Sequence, residues 1–339
     1  MSVIHRVPRL HVVVALLGLM ISVSADAQYR KTNLVTNLTK GAKHQDTQLV
    51  NAWGLAYAPG NPFWISDAGS GLSTLYDGAG VKQSLVVTIP TATGTGVGSP
   101  TGIVYNASQE FKLMNWVSAF IFVTLDGTIS GWSHFAPNNA LLAVNNSGSG
   151  ASYTGLGITN HATGNKIYAA DFNNNKVDVY DGTFKFVTSF TDHNLPAGFA
   201  PANVQDIGGQ LYVAFADTTG GTGGYIDIFH EDGTFVKTLI QGAPLNQPWG
   251  MAVAPSNFGP LSNTLLVVNN INAGVINGFD LSTGAYVGTV VNKLGKPIKI
   301  NQLWGIEFGG GSAANGKTNQ LFFTAGPKNG VNGLFGVIQ

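Results

Sequence analysis

Two histidines, His44 and His193, stand in the same kind of interstrand segment as Asp46, Asn51, Asn203, Asn246 and Asn301. A second set, Asp67, Asp126, Asp171, Asp217 and Asn269, follows short apolar runs. Carboxylate and amide oxygens of this kind suit a hard cation, Ca²⁺ or Mg²⁺, rather than a soft metal. A cation held by Asp67, Asp171 and Asn269 would polarise an ester or lactone carbonyl, with His44 or His193 as general base. The competing assignment leaves these side chains capping their own turns, as Asp and Asn do at strand ends. The chain has no cysteine, which removes thiol nucleophiles, disulfides and cysteine-ligated zinc.

These residues act together only if their segments converge, and the chain carries a repeat that makes them converge. An apolar residue after glycine opens each unit: Trp53-Gly54-Leu55, Thr101-Gly102-Ile103, Thr154-Gly155-Leu156, Trp249-Gly250-Met251 and Trp304-Gly305-Ile306, with a degenerate fourth copy at Asn203-Val204. With Gly54, Gly102, Gly155, Val204, Gly250 and Gly305 as markers, the steps are 48, 53, 49, 46 and 55 residues. Propeller blades run to roughly 40–50 residues. A second apolar run follows in each unit, such as Ile167-Tyr168-Ala169, and then an alternating third, such as Val177-Asp178-Val179-Tyr180. Asp77-Gly78, Asp181-Gly182 and Asp232-Gly233 are hairpin signals that lead into a fourth run.

Four antiparallel strands per unit predict an all-β, six-bladed β-propeller. The last unit runs out after its third strand, near Leu334 to Ile338. The segment from Asn33 to Leu38 is expected to supply its fourth, which pairs an edge that would otherwise invite aggregation.

Counting strands outward from the axis, the loops into each innermost strand share a face with the loops joining second to third strands. We call this the loop face; the tight turns lie on the opposite turn face. Loops from every blade meet at the channel mouth on the loop face, so a ligand is expected there. This rule places His44, Asp46 and Asn51 before blade 1, His193 and Asn203 before blade 4, Asn246 before blade 5 and Asn301 before blade 6. His161 and His230 fall in tight turns and His134 in the outer part of blade 2. Trp53, Trp249 and Trp304 open innermost strands and read as packing residues between blades, with sugar stacking as the alternative.

Four segments, Val123 to Trp132, Tyr168 to Phe172, Asn194 to Pro201 and Thr324 to Pro327, resemble an uncharacterised family of exported bacterial propeller proteins. That resemblance implies a six-bladed, NHL-like propeller and brings no activity with it.

The N-terminus carries His5, Arg6 and Arg9, an apolar run from Val12 to Val23, and Ala25-Asp26-Ala27. That order predicts a signal peptide over residues 1–27 and a single propeller domain over 28–339, secreted or periplasmic. The apolar run is shorter than the about 20 residues of a membrane helix, so no stable membrane insertion is expected. With 17 basic and 17 acidic residues, no field draws nucleic acid. The expected function is a monomeric binding scaffold for a small molecule, glycan or protein on the loop face. The alternatives are a divalent-metal hydrolase or lactonase on that face and a structural or adhesion module of the envelope.

Overall fold

The computed structural model describes residues 29–94 and 96–339. The expected signal peptide, residues 1–27, lies outside the described residues. Six sheets follow one another around an axis. Blade 1 runs Ala52–Tyr57, Phe63–Asp67, Leu72–Tyr76 and Lys82–Thr88, each strand antiparallel to the next. Blades 2 to 5 repeat this order, with innermost strands Pro100–Tyr105, Tyr153–Ile158, Phe199–Asp206 and Pro248–Val253. The one helical element among the described residues is a 3-10 turn at Ser147–Ser149.

Blade 6 is built from both ends of the chain. Leu303–Phe308, Leu321–Ala325 and Leu334–Ile338 are joined by Lys31–Thr36, whose register runs from Lys31 opposite Ile338 to Thr36 opposite Leu334. This is the expected closure, two residues earlier than the segment chosen from sequence. Leu34 and Val35 are buried by it. An element that the pattern did not announce is added outside: His44–Gln45 pairs in parallel with Val35 and Thr36.

The opening glycine of each unit has a steric cause. A Cβ on Gly54 would lie 2.5 Å from the Thr101 carbonyl oxygen of blade 2, and one on Gly102 would lie 2.5 Å from the Leu156 amide of blade 3. Gly250 faces the Trp304 carbonyl and Gly305 the Trp53 carbonyl in the same way. Innermost strands approach this closely because they converge on the axis, and only glycine leaves the space. In blade 4 the register puts Asn203, not Val204, at the glycine position: Asn203 is opposite Ala214, as Gly155 is opposite Ala170. The marker read from sequence was therefore displaced by one residue. Asn203 avoids a clash by donating its Nδ2 hydrogen to the Trp249 carbonyl of blade 5, at 3.0 Å.

The core lies between blades. Six apolar clusters fill the six interblade interfaces, and a seventh sits on the axis. Trp64 of blade 1 stacks on Phe120 of blade 2 at 4.1 Å, and Phe63 meets Phe322 across the closing interface at 4.4 Å. On the outer strands of blades 3, 4 and 5, Phe186, Phe235 and Tyr286 lie edge-on over the buried rings of Tyr180, Phe229 and Phe279. These exposed aromatics cover core rings beneath them.

Candidate ligand site in the axial channel

The channel is filled at one end and hollow at the other. Trp53, Trp249 and Trp304, each the second residue of its innermost strand, meet on the axis at the loop face. Trp53 stacks on Trp304 at 3.6 Å, and Trp249 stands edge-on to both at 6.4 and 5.8 Å. Ala68, Ala202 and Ala216 complete the plug. The Trp249 indole N–H donates to the Thr154 carbonyl at 3.1 Å. Those of Trp53 and Trp304 are buried without a partner. The tryptophans are thus packing residues, as expected, but they pack on the axis rather than between blades.

Beyond the plug, toward the turn face, the innermost strands enclose a cavity of about 360 Å³ floored by Trp249. Its polar wall includes Tyr57, Tyr105, Asn160, Gln205, Asp206 and Glu307. Among the described residues no Lys, Arg or His lines it. Glu307, on the innermost strand of blade 6, is half-buried by area because the cavity leaves it an opening, yet protein atoms surround it closely. Burial pushes its carboxyl up to about 7, against the pull of the Phe308 backbone amide. Burial, and then the charge of Glu307, raises the Tyr57 phenol to about 12. Across the channel on blade 4, burial also raises Asp206, whose Oδ1 accepts from the Gly209 N–H at 2.9 Å.

The residues singled out from sequence are distributed differently. His44 is corrected in place: it lies in the added outer strand of blade 6, with its ring beside Gly80 in a tight turn of blade 1, away from the channel mouth. The short parallel pairing with Lys31–Thr36 carries it there, a contact with no sequence signal. His193 is exposed on the loop into blade 4. Neither ring is hydrogen-bonded to another side chain among the described residues.

Asp46 is buried and clamps its loop to blade 1: its Oδ2 accepts from the Tyr76 hydroxyl at 2.7 Å and faces Lys82 Nζ at 2.7 Å. Burial pushes its carboxyl up, but Lys82 and Tyr76 outweigh that and hold it below the ordinary aspartate range. Asn51 adopts φ 51° and packs against Gly326 and Gly330. Asn301 accepts from the Ala273 N–H at 2.9 Å, and the Asn246 N–H donates to Asn269 Oδ1 at 3.1 Å. Of these candidates Asn203 alone lines the axial cavity.

The three oxygen ligands proposed for a cation are engaged with protein groups, Asp67 and Asp171 within their own hairpins and Asn269 with the loop entering blade 5. Asp171 accepts from the Ser152 N–H at 3.0 Å and the Asn174 side chain at 2.7 Å. Asn269 Nδ2 donates to the Pro244 carbonyl at 2.8 Å. Asp67 Oδ2 accepts from the Thr74 hydroxyl at 2.7 Å and backbone at 3.1 Å, while Oδ1 is buried without a partner. Burial, opposed by these Thr74 bonds, raises Asp67 well above the ordinary aspartate range. Among the described residues no group of three His, Asp or Glu side chains is placed to hold a metal.

A polar position that the sequence reading did not single out recurs inside the blades. The registers align Thr74, Ser130, Asp178, Asp227 and Asn277 on the third strands of blades 1 to 5, all buried. Its signal is a polar residue set between apolar neighbours, as in Val177-Asp178-Val179 and Ile226-Asp227-Ile228. Two of these side chains tie the third strand to the inner part of their blade: Asp178 accepts from the hydroxyl of Tyr153, the first residue of the innermost strand of blade 3, at 2.9 Å, and Asn277 donates to the Pro244 carbonyl in the loop entering blade 5 at 3.3 Å.

No protein-family model matches the chain. The chain is 32% identical over 325 residues to Uncharacterized protein R648 of Acanthamoeba polyphaga mimivirus, covering 90% of this chain and 78% of that protein. Uncharacterized protein L690 of the same virus is 29% identical over 336 residues, covering 92% and 86%. Among solved structures, virginiamycin B lyase from Staphylococcus aureus superposes with a TM-score of 0.57 at 11% identity, over 92% of this chain and 99% of that one. The PQQ-bound aldose sugar dehydrogenase of Streptomyces coelicolor gives 0.51 at 14% identity, over 92% and 99%. At such identities the structural likeness carries the propeller fold alone.

Proposed function

The chain belongs to the same family as Uncharacterized protein R648 of Acanthamoeba polyphaga mimivirus, and on that footing we propose that it is an exported, non-catalytic binding propeller whose small-molecule ligand enters the axial cavity from the turn face. One observation carries this reading: tryptophans fill the channel at the loop face and leave about 360 Å³ open beyond them. That volume lies within the roughly 300–1,000 Å³ of small-molecule sites, and a few polar groups set in apolar walls are their usual chemistry. Export is supported by the basic, apolar and small-residue order of residues 1–27. A hydrolase on the loop face would need Asp67, Asp171 and Asn269 free for a cation, and each already bonds protein groups.

The test is a ligand-observed NMR screen of small molecules against the purified protein, its Gln205→Trp variant and its His193→Ala variant. Indole bulk at position 205 fills the cavity, so binding should vanish in Gln205→Trp and persist in His193→Ala. Binding that survives the first substitution and is lost with the second returns the site to the loop face. Circular dichroism and a cooperative melt establish that each variant is folded.

A further inference from the structure

We infer that the ligand of the axial cavity is a small organic ammonium ion, held between Glu307 of blade 6 and Asp206 of blade 4 with the phenols of Tyr57 and Tyr105 beside it. The inference rests on the cavity being the ligand site and adds the chemistry that site selects. Two acidic residues line the cavity and, among the described residues, no cationic side chain does, so its field favours a positive guest and opposes an anion. The Phe308 backbone amide pulls on the Glu307 carboxyl, and among the described residues no side chain hydrogen-bonds it. Above about pH 7 the carboxyl is ionised, and a neutral guest would leave it desolvated without a counter-charge; an ammonium group supplies both the charge and the N–H donors.

Shape narrows the guest further. A bare Ca²⁺ needs six to eight oxygen ligands gathered at one point, and the cavity offers two carboxyls on separate blades and the amides of Asn160, Asn203 and Gln205, with apolar wall between them. A volume of about 360 Å³ is too large for a lone ion and suits a small organic cation. Tyr57 and Tyr105 come from adjacent blades, and aromatic rings within about 6 Å of a cation attract it, most strongly where water is excluded. Glu307 acts on the Tyr57 phenol, and the titratable groups acting on Asp206 are Glu231 and His161. His161 is itself paired with Glu231 at 2.9 Å, outside the cavity lining.

Isothermal titration calorimetry on the whole protein tests this with choline and 1,4-diaminobutane as cations. The neutral isostere 3,3-dimethylbutan-1-ol and butyrate are the controls. At pH 8 at least one cation should bind at least tenfold more tightly than the isostere, and butyrate should not bind. Glu307→Gln should weaken the cation at least tenfold while the protein stays folded, and Gln205→Trp should abolish binding. If Glu307→Gln does not fold, Asp206→Asn and a drop from pH 8 to pH 5.5 must each weaken the cation instead. Equal binding of cation and isostere, or unchanged affinity in Glu307→Gln, overturns the ammonium assignment. A neutral or anionic compound whose binding is lost in Gln205→Trp, with both cations silent, also overturns it but leaves the cavity as the ligand site. If no compound gives a signal sensitive to Gln205→Trp, the ammonium assignment and the cavity reading fall together.

Discussion

Asp227 and Asn277 occupy the same place in neighbouring blades, opposite Val213 and Val267 on their second strands, and only the amide is satisfied. Asn277 Oδ1 accepts from the Thr289 hydroxyl at 2.7 Å, and its Nδ2 reaches the Pro244 carbonyl. Asp227 is fully buried, and neither oxygen has a partner with hydrogen-bond geometry, although Thr238 and Asp192 lie close enough to act on it. Burial first, and then the Asp192 carboxylate, raises Asp227 from the ordinary 3.8 to about 7 against the pull of Thr238.

The sign of the resulting pH dependence follows. A carboxyl whose folded value exceeds its unfolded one binds more protons when folded, so its stabilising contribution is present below about pH 4 and lost as pH rises through 7. Asp227→Asn copies blade 5 and cannot ionise. We expect it to raise stability at pH 8 by about 1–3 kcal/mol, several degrees in Tm, with little change at pH 4. Thermal melts of both proteins across this range check it; an equal effect at both ends would show that ionisation of Asp227 is not the cause.

The tryptophan plug should behave as core. Trp53 is 7% exposed and stacked on Trp304, so Trp53→Ala removes a large buried ring and leaves a hole on the axis. A loss of about 3–5 kcal/mol is expected, with Trp53→Phe costing less. Urea denaturation measures it, and a loss below about 1 kcal/mol would mean that the channel collapses around the gap.

Glycine at the strand contact should be required by space. At Gly102 an added Cβ meets the Leu156 amide at 2.5 Å and the Gly155 carbonyl carbon at 2.8 Å, both backbone atoms. Gly102→Ala must therefore part blades 2 and 3, at a cost of about 1–3 kcal/mol. Asn203→Gly restores the common residue and gives up only the bond to Trp249, so it should cost about 1 kcal/mol or less. Equilibrium unfolding of the two variants side by side ranks them, and the reverse order would refute the steric account.

Export has a direct readout. If the first 27 residues direct secretion and are removed after Ala27, the N-terminal sequence of protein recovered outside the cytoplasm begins at Gln28. Replacing Ala25 and Ala27 by bulky residues should block that cleavage. A mature protein that still begins at Met1 would contradict it.

The repeat, the number of blades and the closure by the N-terminal strand were legible because each is written locally. Gly-apolar openings, alternating third strands and Asp-Gly turns recur at blade spacing, and a unit short of its fourth strand points to the unused run before blade 1. The same local code says that Asp67, Asp171 and Asn269 end second strands, where Asp67 and Asp171 bond within their own hairpins. It does not say which end of the channel is open. That depends on three indoles from Trp53, Trp249 and Trp304, far apart in sequence, meeting on the axis while Ala56, Gly157 and Val104 leave space beyond them. Volume at the axis is a sum over all the innermost strands at once, and no single repeat contains it. Tertiary packing alone therefore moved the candidate site from the loop face to the turn face and made Glu307, one acid on one strand, its most perturbed carboxyl.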